Sequence, residues 1–200
     1  MSNKQVKIGI TGGIGSGKSI VCRIFEVIGA PVYYADDRAK QLITESSVIR
    51  TQITDFFGES SFVHGEYNRP YIASLVFSNP EKLALLNSIL HPAVAKDFKD
   101  WILKNTYAPY IVKEAALIFD GPNSTGLDRV YVVTAPEKVR IERVRSRDQQ
   151  RSIHQIEAII SHQMLEEEMI KLSTGLIDNS GVHMLIPQIL SIHQSLVKFH

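Results

Sequence analysis

Hydrophobic positions along the chain alternate between strand-like runs and helical spacing. Val6 to Ile10 form a short run rich in β-branched residues that ends in Thr11-Gly12-Gly13, the pattern of a strand. Ile20, Val21, Ile24, Phe25 and Ile28 then recur at helical spacing, and Gly29 is placed to stop that helix. Pro31-Val32-Tyr33-Tyr34 predicts a second strand with Ala35-Asp36-Asp37 at its exit, and Ala39, Leu42 and Ile43 predict another helix. Strand, helix, strand, helix argues for an α/β fold: a parallel sheet with crossover helices.

From about residue 47 to 107 strand signals vanish and short helical segments take over. Ser78-Asn79-Pro80-Glu81 reads as a helix start, with Ser78 as cap, Glu81 three residues on and proline in the first turn. Val94, Phe98, Trp101 and Ile102 form a stripe that reads as core packing. Residues 47–107 are therefore expected to be a helical insertion between core segments 1–46 and 108–200. Strand patterns return at Tyr110-Ile111-Val112-Lys113 and at Arg129-Val130-Tyr131-Val132-Val133. The second is nearly continuous, as a strand buried on both faces should be. Thr134-Ala135-Pro136-Glu137 predicts a capping box opening an arginine-rich helix, and Ser152 to Gln155 one before a long helix ending near Leu172. Leu176-Ile177-Asp178 predicts a last short strand, and Asn179-Ser180-Gly181 turns into a C-terminal helix.

Composition narrows the class. Of 200 residues, 44% are hydrophobic and 22% charged, which excludes a disordered chain. The net charge is +1, too little for a protein that lives on long nucleic acid, although basic residues can still converge on a small anion. Cys22 is the one cysteine, which excludes an internal disulfide and a multi-cysteine zinc site. No run of about 18 apolar residues is present to span a membrane, and the start of the chain is too broken for a signal peptide. A cytoplasmic enzyme or binding protein is expected.

Gly12-Gly13-Ile14-Gly15-Ser16-Gly17-Lys18-Ser19 fills every position of G-x-x-x-x-G-K-[ST], between a predicted strand and a predicted helix. Glycines let the backbone curl so that successive N–H groups face phosphate oxygens. The helix start adds unpaired donors and positive partial charge. Lys18 can reach the β- and γ-phosphates, and Ser19 offers a hydroxyl to Mg²⁺. The motif implies a nucleoside triphosphate but not the reaction. A small-molecule kinase, a nucleotide switch and a nucleotide-sensing module stay open, and without an N-K-x-D segment a GTPase is disfavoured.

A kinase also needs a group for the acceptor proton and cover against water. Asp36, just past the second strand, can accept a hydroxyl proton or help hold the metal, while the plainer reading is helix capping by Asp36 or Asp37. Arg140, Arg143, Arg147 and Arg151 are spaced 3, 4 and 4 apart, so they share one face if the helix continues that far. That face can clamp phosphates as a lid, or it can pair with Glu142 and Asp148 in solvent.

These residues resemble the dephospho-coenzyme A kinase family nearly end to end. Ile8 to Ser19 is similar to the family's opening, Ala35-Asp36 to the last two positions of its Asp-Ala-Asp, and Gly65-Glu66-Tyr67-Asn68-Arg69 to its Gly-x-x-x-Arg. His91-Pro92, Glu114 to Asp120, Arg147-Asp148 and Ile177-Asp178-Asn179-Ser180-Gly181 resemble later landmarks. Tyr34 departs from the first Asp, Ala116 from a common Pro, Asp120 from a common Glu, and Ile159 and Met169 from frequent basic residues.

The resemblance implies a P-loop kinase with a five-stranded parallel core, a helical acceptor-binding subdomain and a lid at about 140–155. It implies transfer of the ATP γ-phosphate to the ribose 3′-hydroxyl of dephospho-coenzyme A, with Mg²⁺. Lys18, Asp36 and Arg143 would be catalytic. Gly13, Ile14, Gly15, Ser16, Gly17, Lys18, Ser19, Ile20, Arg147, Asn179 and Gly181 would bind ATP, and Ser19 and Asp36 the metal. Asp36, Arg69 and His91 would bind the acceptor; a surface salt bridge at Arg69 and a structural histidine before a proline-started helix remain the plainer alternatives. Partners would be ATP and dephospho-coenzyme A, not nucleic acid or a membrane, with a monomer or weak homo-oligomer expected.

Overall fold

The computed structural model describes residues 5–77, 79–119 and 126–197. The cap expected at Ser78, the family departure at Asp120 and the first four residues lie outside the described residues. The chain runs β1 (Val6–Thr11), α1 (Lys18–Val27) and β2 (Val32–Tyr34), then α2 (Ala35–Glu45), α3 (Ser47–Phe57), β3 (Phe62–Val63), β4 (Glu66–Tyr67), α4 (Arg69–Val76) and α5 (Pro80–Lys104). It continues through β5 (Tyr110–Glu114), β6 (Arg129–Thr134), α6 (Glu137–Arg147), α7 (Ile153–Ser161), α8 (Glu166–Leu172), β7 (Gly175–Asp178) and α9 (Leu185–Val197). Internal contacts divide it into two compact units, Met1–Tyr34 with Lys104–His200, and Ala35–Leu103. This division puts α2 in the second unit, whereas the sequence boundary at residue 46 kept it with the first.

The first unit is a five-stranded parallel sheet in the order β2-β5-β1-β6-β7. Strand β1 is central, with Ile8 opposite Val112 on one side and Arg129 on the other. The chain builds β2 and β5 on one side of β1, then β6 and β7 on the other. The crevice beyond the carboxyl end of β1 is thus the topological switch point where such sheets bind ligands. Helix α1 buries Val21, Cys22 and Phe25 against Ile8, Ile10 and Val112, as its apolar spacing requires. Ile189 and Leu196 bring α9 into the same core. The Tyr110 hydroxyl meets His193 Nδ1 at 2.8 Å, and the Tyr110 ring makes edge contacts with both Phe25 and His193.

The second unit has its own core, in which Ile49, Ile53 and Phe57 of α3 pack with Ile43, Ile72, Leu86 and Ile89. It is not purely helical: β3 and β4 form an antiparallel hairpin around His64-Gly65. Two-residue strands are too short to show an alternating pattern, so the sequence concealed them. Phe62 and Tyr67 pair across the hairpin at 5.7 Å, and the Arg50 guanidinium lies 4.6 Å from the Phe62 ring centre.

Four local expectations change. Helix α5 is continuous through Pro92, so His91 lies inside a helix rather than before a proline-started one. Proline removes one donor to the preceding turn, but Leu86, Ile89, Val94 and Phe98 are buried on both sides of it and hold the helix together. The described cap of α5 is Asn79, whose side chain accepts the Lys82 N–H at 3.0 Å. Helix α6 starts at Glu137 behind Pro136 with no side-chain cap, because Thr134 belongs to β6. It ends at Arg147 with Asp148 as C-cap, which leaves Arg151 off the helix and the four arginines on no common face. Ser152 does form its capping box, but the long helix is two, α7 and α8. The break follows His162, whose N–H and Nδ1 both meet the Ala158 carbonyl, and Leu165 is extended.

Helix α9 offers a test of the core. Ile189→Ala removes a fully buried side chain and is expected to cost about 2–5 kcal/mol in denaturant unfolding. Ile186→Ala, on the exposed side of α9, should stay within about 0.5 kcal/mol. Equal losses would show that α9 does not pack on the sheet through Ile189.

Candidate active site

The segment between β1 and α1 curls back on itself at the switch point. Ser16 N–H bonds Gly13 C=O at 3.1 Å, and Gly15 and Gly17 have φ of 77° and 97°, conformations that glycine alone adopts without strain. Neighbours press on it closely: a methyl at Gly13 would overlap the Arg140 guanidinium, one at Gly15 the Arg140 carbonyl, and one at Gly17 the Asn179 amide. Lys18 opens α1 and folds over the loop, its Nζ 2.7 Å from Gly12 O and 3.4 Å from Gly13 O. Ser19 and Ile20 follow on the exposed first turn of α1. A first helical turn directs N–H groups outward, so together with the loop it offers a cradle for an anion, although here the Ile20 N–H is taken by Gly17 O at 3.1 Å.

Three distant elements hold this cradle. Asn179, buried after β7, donates its side-chain N–H to Ser16 O at 2.7 Å, while its own N–H bonds Thr134 O at 2.8 Å. Arg143 of α6 reaches the same carbonyl at 3.4 Å and Asn179 O at 2.9 Å. Gln163, between α7 and α8, accepts the Ile14 N–H at 2.9 Å. Arg143 is therefore half-buried against the loop. Arg147 is exposed and holds Asp148 through two bonds of 3.0 Å. That contact keeps the Asp148 carboxyl below its ordinary range. Gly181 closes the turn after Asn179 with φ 94°.

Electrostatics behind the loop favour neutral side chains. Burial, then the Glu114 charge, pushes the Cys22 thiol far up, so it stays a protonated apolar group. Burial also raises the Tyr34 phenol, helped by the Glu26 charge, a hydrogen bond to Glu26 and the Glu114 charge. Tyr34 thus brings no negative charge to the position where related motifs carry Asp.

The second unit carries the remaining candidates. Asp36 is exposed in the first turn of α2, two residues after β2 ends. Neighbouring Asp37 pairs with Lys40 at 2.6 Å on the surface. Arg69 is exposed at the start of α4, which Asn68 caps. His91 is half-buried within α5.

Gln163 escaped the motif reading, and Arg140 and Glu114, both named in it, take places it did not give them. Gln163 and Arg140 touch the loop from positions more than 120 residues away, a distance in sequence that no local pattern reports. Glu114 is buried at the end of β5, in register with Ile10 one residue before Thr11; a carboxylate closing an apolar strand was the available signal. Among the described residues no cluster of three or more His, Cys, Asp or Glu side chains is placed to hold a metal. Single oxygen donors such as the Ser19 hydroxyl suit a Mg²⁺ ion carried mainly by phosphates rather than a protein cage.

Comparison with known proteins gives a consistent picture. The dephospho-CoA kinase family model matches residues 6–184. A dephospho-CoA kinase of Bacteroides fragilis is 37% identical over 187 residues, covering 94% of this chain and 91% of the relative. A crystal structure of a Thermus thermophilus protein superposes with a TM-score of 0.85 at 31% identity, over 96% of this chain and 97% of that one. The dephospho-CoA kinase of Campylobacter jejuni, at 21% identity and a TM-score of 0.62 over 96% and 97% of the two chains, shares the fold.

Glu166 tests the charge balance around Arg140. Burial raises its carboxyl above the ordinary range, and the Arg140 charge offsets this only in part; Oε2 is buried without a hydrogen bond. A raised folded-state pKa means stability is full below the unfolded value near ~4.3 and falls as pH rises through the folded value. Glu166→Gln should therefore melt higher than wild type at neutral pH, with the difference vanishing in acid. A lower melting temperature at neutral pH would show that attraction to Arg140 outweighs burial.

Proposed function

Since the chain belongs to the dephospho-CoA kinase family, which catalyses the final step of coenzyme A biosynthesis, we propose that it transfers the γ-phosphoryl group of ATP to the ribose 3′-hydroxyl of dephospho-coenzyme A. The observation that carries this reading is the glycine loop with Lys18 at the carboxyl end of β1, in a chain the family covers over residues 6–184.

The N–H groups of Gly15, Gly17, Lys18 and Ser19 face the β- and γ-phosphates, while those of Ile14, Ser16 and Ile20 bond Gln163 Oε1, Gly13 O and Gly17 O. Lys18 leaves the Gly12 carbonyl for the γ-phosphate, and Arg143 adds positive charge as the γ-phosphoryl group moves. Arg147 acts from a lid at about 140–155, and Asn179 and Gly181 border the nucleotide. The second unit takes the acceptor, with Arg69 and His91 as contacts. Asp36 orients the 3′-hydroxyl and takes its proton as the new O–P bond forms and the bond to the ADP oxygen breaks. Ser19 and Asp36 would hold Mg²⁺ brought in with the nucleotide, and the ion would supply charge neutralisation on the phosphates. A cytoplasmic monomer or weak homo-oligomer fits these small-molecule partners; among the described residues no helix is long and apolar enough to cross a membrane.

Incubation with Mg-ATP and dephospho-coenzyme A should yield coenzyme A by mass. Nucleoside monophosphates and small alcohols offered in the same assay should accept nothing. ATP binding without acceptor-dependent ADP release would make the chain a nucleotide sensor instead.

Two variants test the assignments. Lys18→Ala should lose about 3–4 kcal/mol of transition-state stabilisation, a rate loss of some hundreds-fold, with normal melting; near-normal turnover would remove Lys18 from the chemistry. Asp36→Asn should lower kcat sharply while dephospho-coenzyme A still binds, and Asp37→Asn, whose carboxylate already serves Lys40, should do little. Equal mild effects would reduce Asp36 to a helix-start residue.

A further inference from the structure

We propose that Gln163 is a positioning residue for nucleotide binding: it fixes the orientation of the peptide plane between Gly13 and Ile14, and through that plane the place of Lys18. Both ends of this one peptide are occupied. Its N–H donates outward to Gln163 Oε1 at 2.9 Å. Its C=O points into the loop, accepting Ser16 N–H at 3.1 Å and standing 3.4 Å from Lys18 Nζ. In a trans peptide the N–H and C=O point in opposite directions, so holding one fixes the other. A glycine on one side of the plane leaves rotation sterically cheap. Without an outside acceptor the plane can turn over, carrying the Gly13 carbonyl away from Ser16 and Lys18. Gln163 is itself held by the tight turn that ends α7, where its N–H bonds Ile160 O at 3.1 Å. The Arg140 guanidinium lies against Gly13 beside it.

The inference rests on the loop binding ATP as proposed above, and its test separates the two. Gln163→Met keeps the length and apolar bulk but loses the strong acceptor, whereas Gln163→Glu retains an acceptor for the Ile14 N–H. ADP binding measured by calorimetry needs no acceptor substrate. Gln163→Met should weaken ADP binding and raise the KM for ATP about three- to tenfold, the worth of one hydrogen bond. The KM for dephospho-coenzyme A and the melting temperature should hold. Hydrogen exchange at the Ile14 amide should accelerate in Gln163→Met and be slowed again in Gln163→Glu. Unchanged ADP affinity in Gln163→Met overturns the inference, as does a parallel rise of both KM values with falling melting temperature, which marks a merely structural role. A wild-type protein that binds ADP yet phosphorylates no dephospho-coenzyme A overturns the proposed function and leaves this inference to the ADP data alone.

Discussion

The account depends on one steric constraint: a stretch of backbone at the end of β1 whose glycines lie in van der Waals contact with residues from elsewhere in the chain. Arg140 and Asn179 press on Gly13, Gly15 and Gly17 so closely that a methyl at any of them would overlap its neighbour. A peptide chain bent this tightly does not hold its shape alone, because its carbonyls and N–H groups need partners. Here they find them in residues delivered by β7, α6 and the α7–α8 turn. The order of strands in the sheet makes this possible, since β1 lies between β5 and β6 with its end open at the switch point. Sheet topology, loop curvature and the placement of Lys18 are thus one problem solved together.

Charge follows from the same geometry. Lys18 and Arg143 both rest on carbonyl oxygens of the loop, neutral acceptors for which a phosphate anion would substitute an ion pair as well as a hydrogen bond. Behind the loop, Cys22 and Tyr34 stay protonated through burial and the nearby carboxylates. Cys22 and Tyr34 therefore add no negative charge of their own beside the loop.

Much of this was legible in the sequence. The five strands of the parallel sheet, α1 and the phosphate loop follow from periodicity and a fully matched motif, since each is written in consecutive residues. The hairpin β3–β4 was not, being too short to show alternation. The break between α7 and α8 was missed because it depends on a tertiary bond, Gln163 to Ile14, and on His162 turning onto its own helix. Pro92 misled in the opposite direction: proline suggested a helix start, and burial on both sides carried α5 through it. Arg140 was legible as one of a row of arginines but not as a buried cation against Gly13, because burial depends on what the chain brings from elsewhere.

The central claim, that the loop is shaped for nucleotide by groups outside it, is tested most directly at Asn179. Its amide is the shortest described hydrogen bond to the loop from another element, and it sits in no motif shared with the loop. Calorimetric titration of Mg-ATP into Asn179→Ala, alongside thermal melting, separates loop shape from general stability. The account predicts a fall in affinity of tenfold or more (about 1.4 kcal/mol) with the melting temperature lowered only slightly. Wild-type affinity in that variant would contradict it and show that the glycine loop keeps its shape unaided.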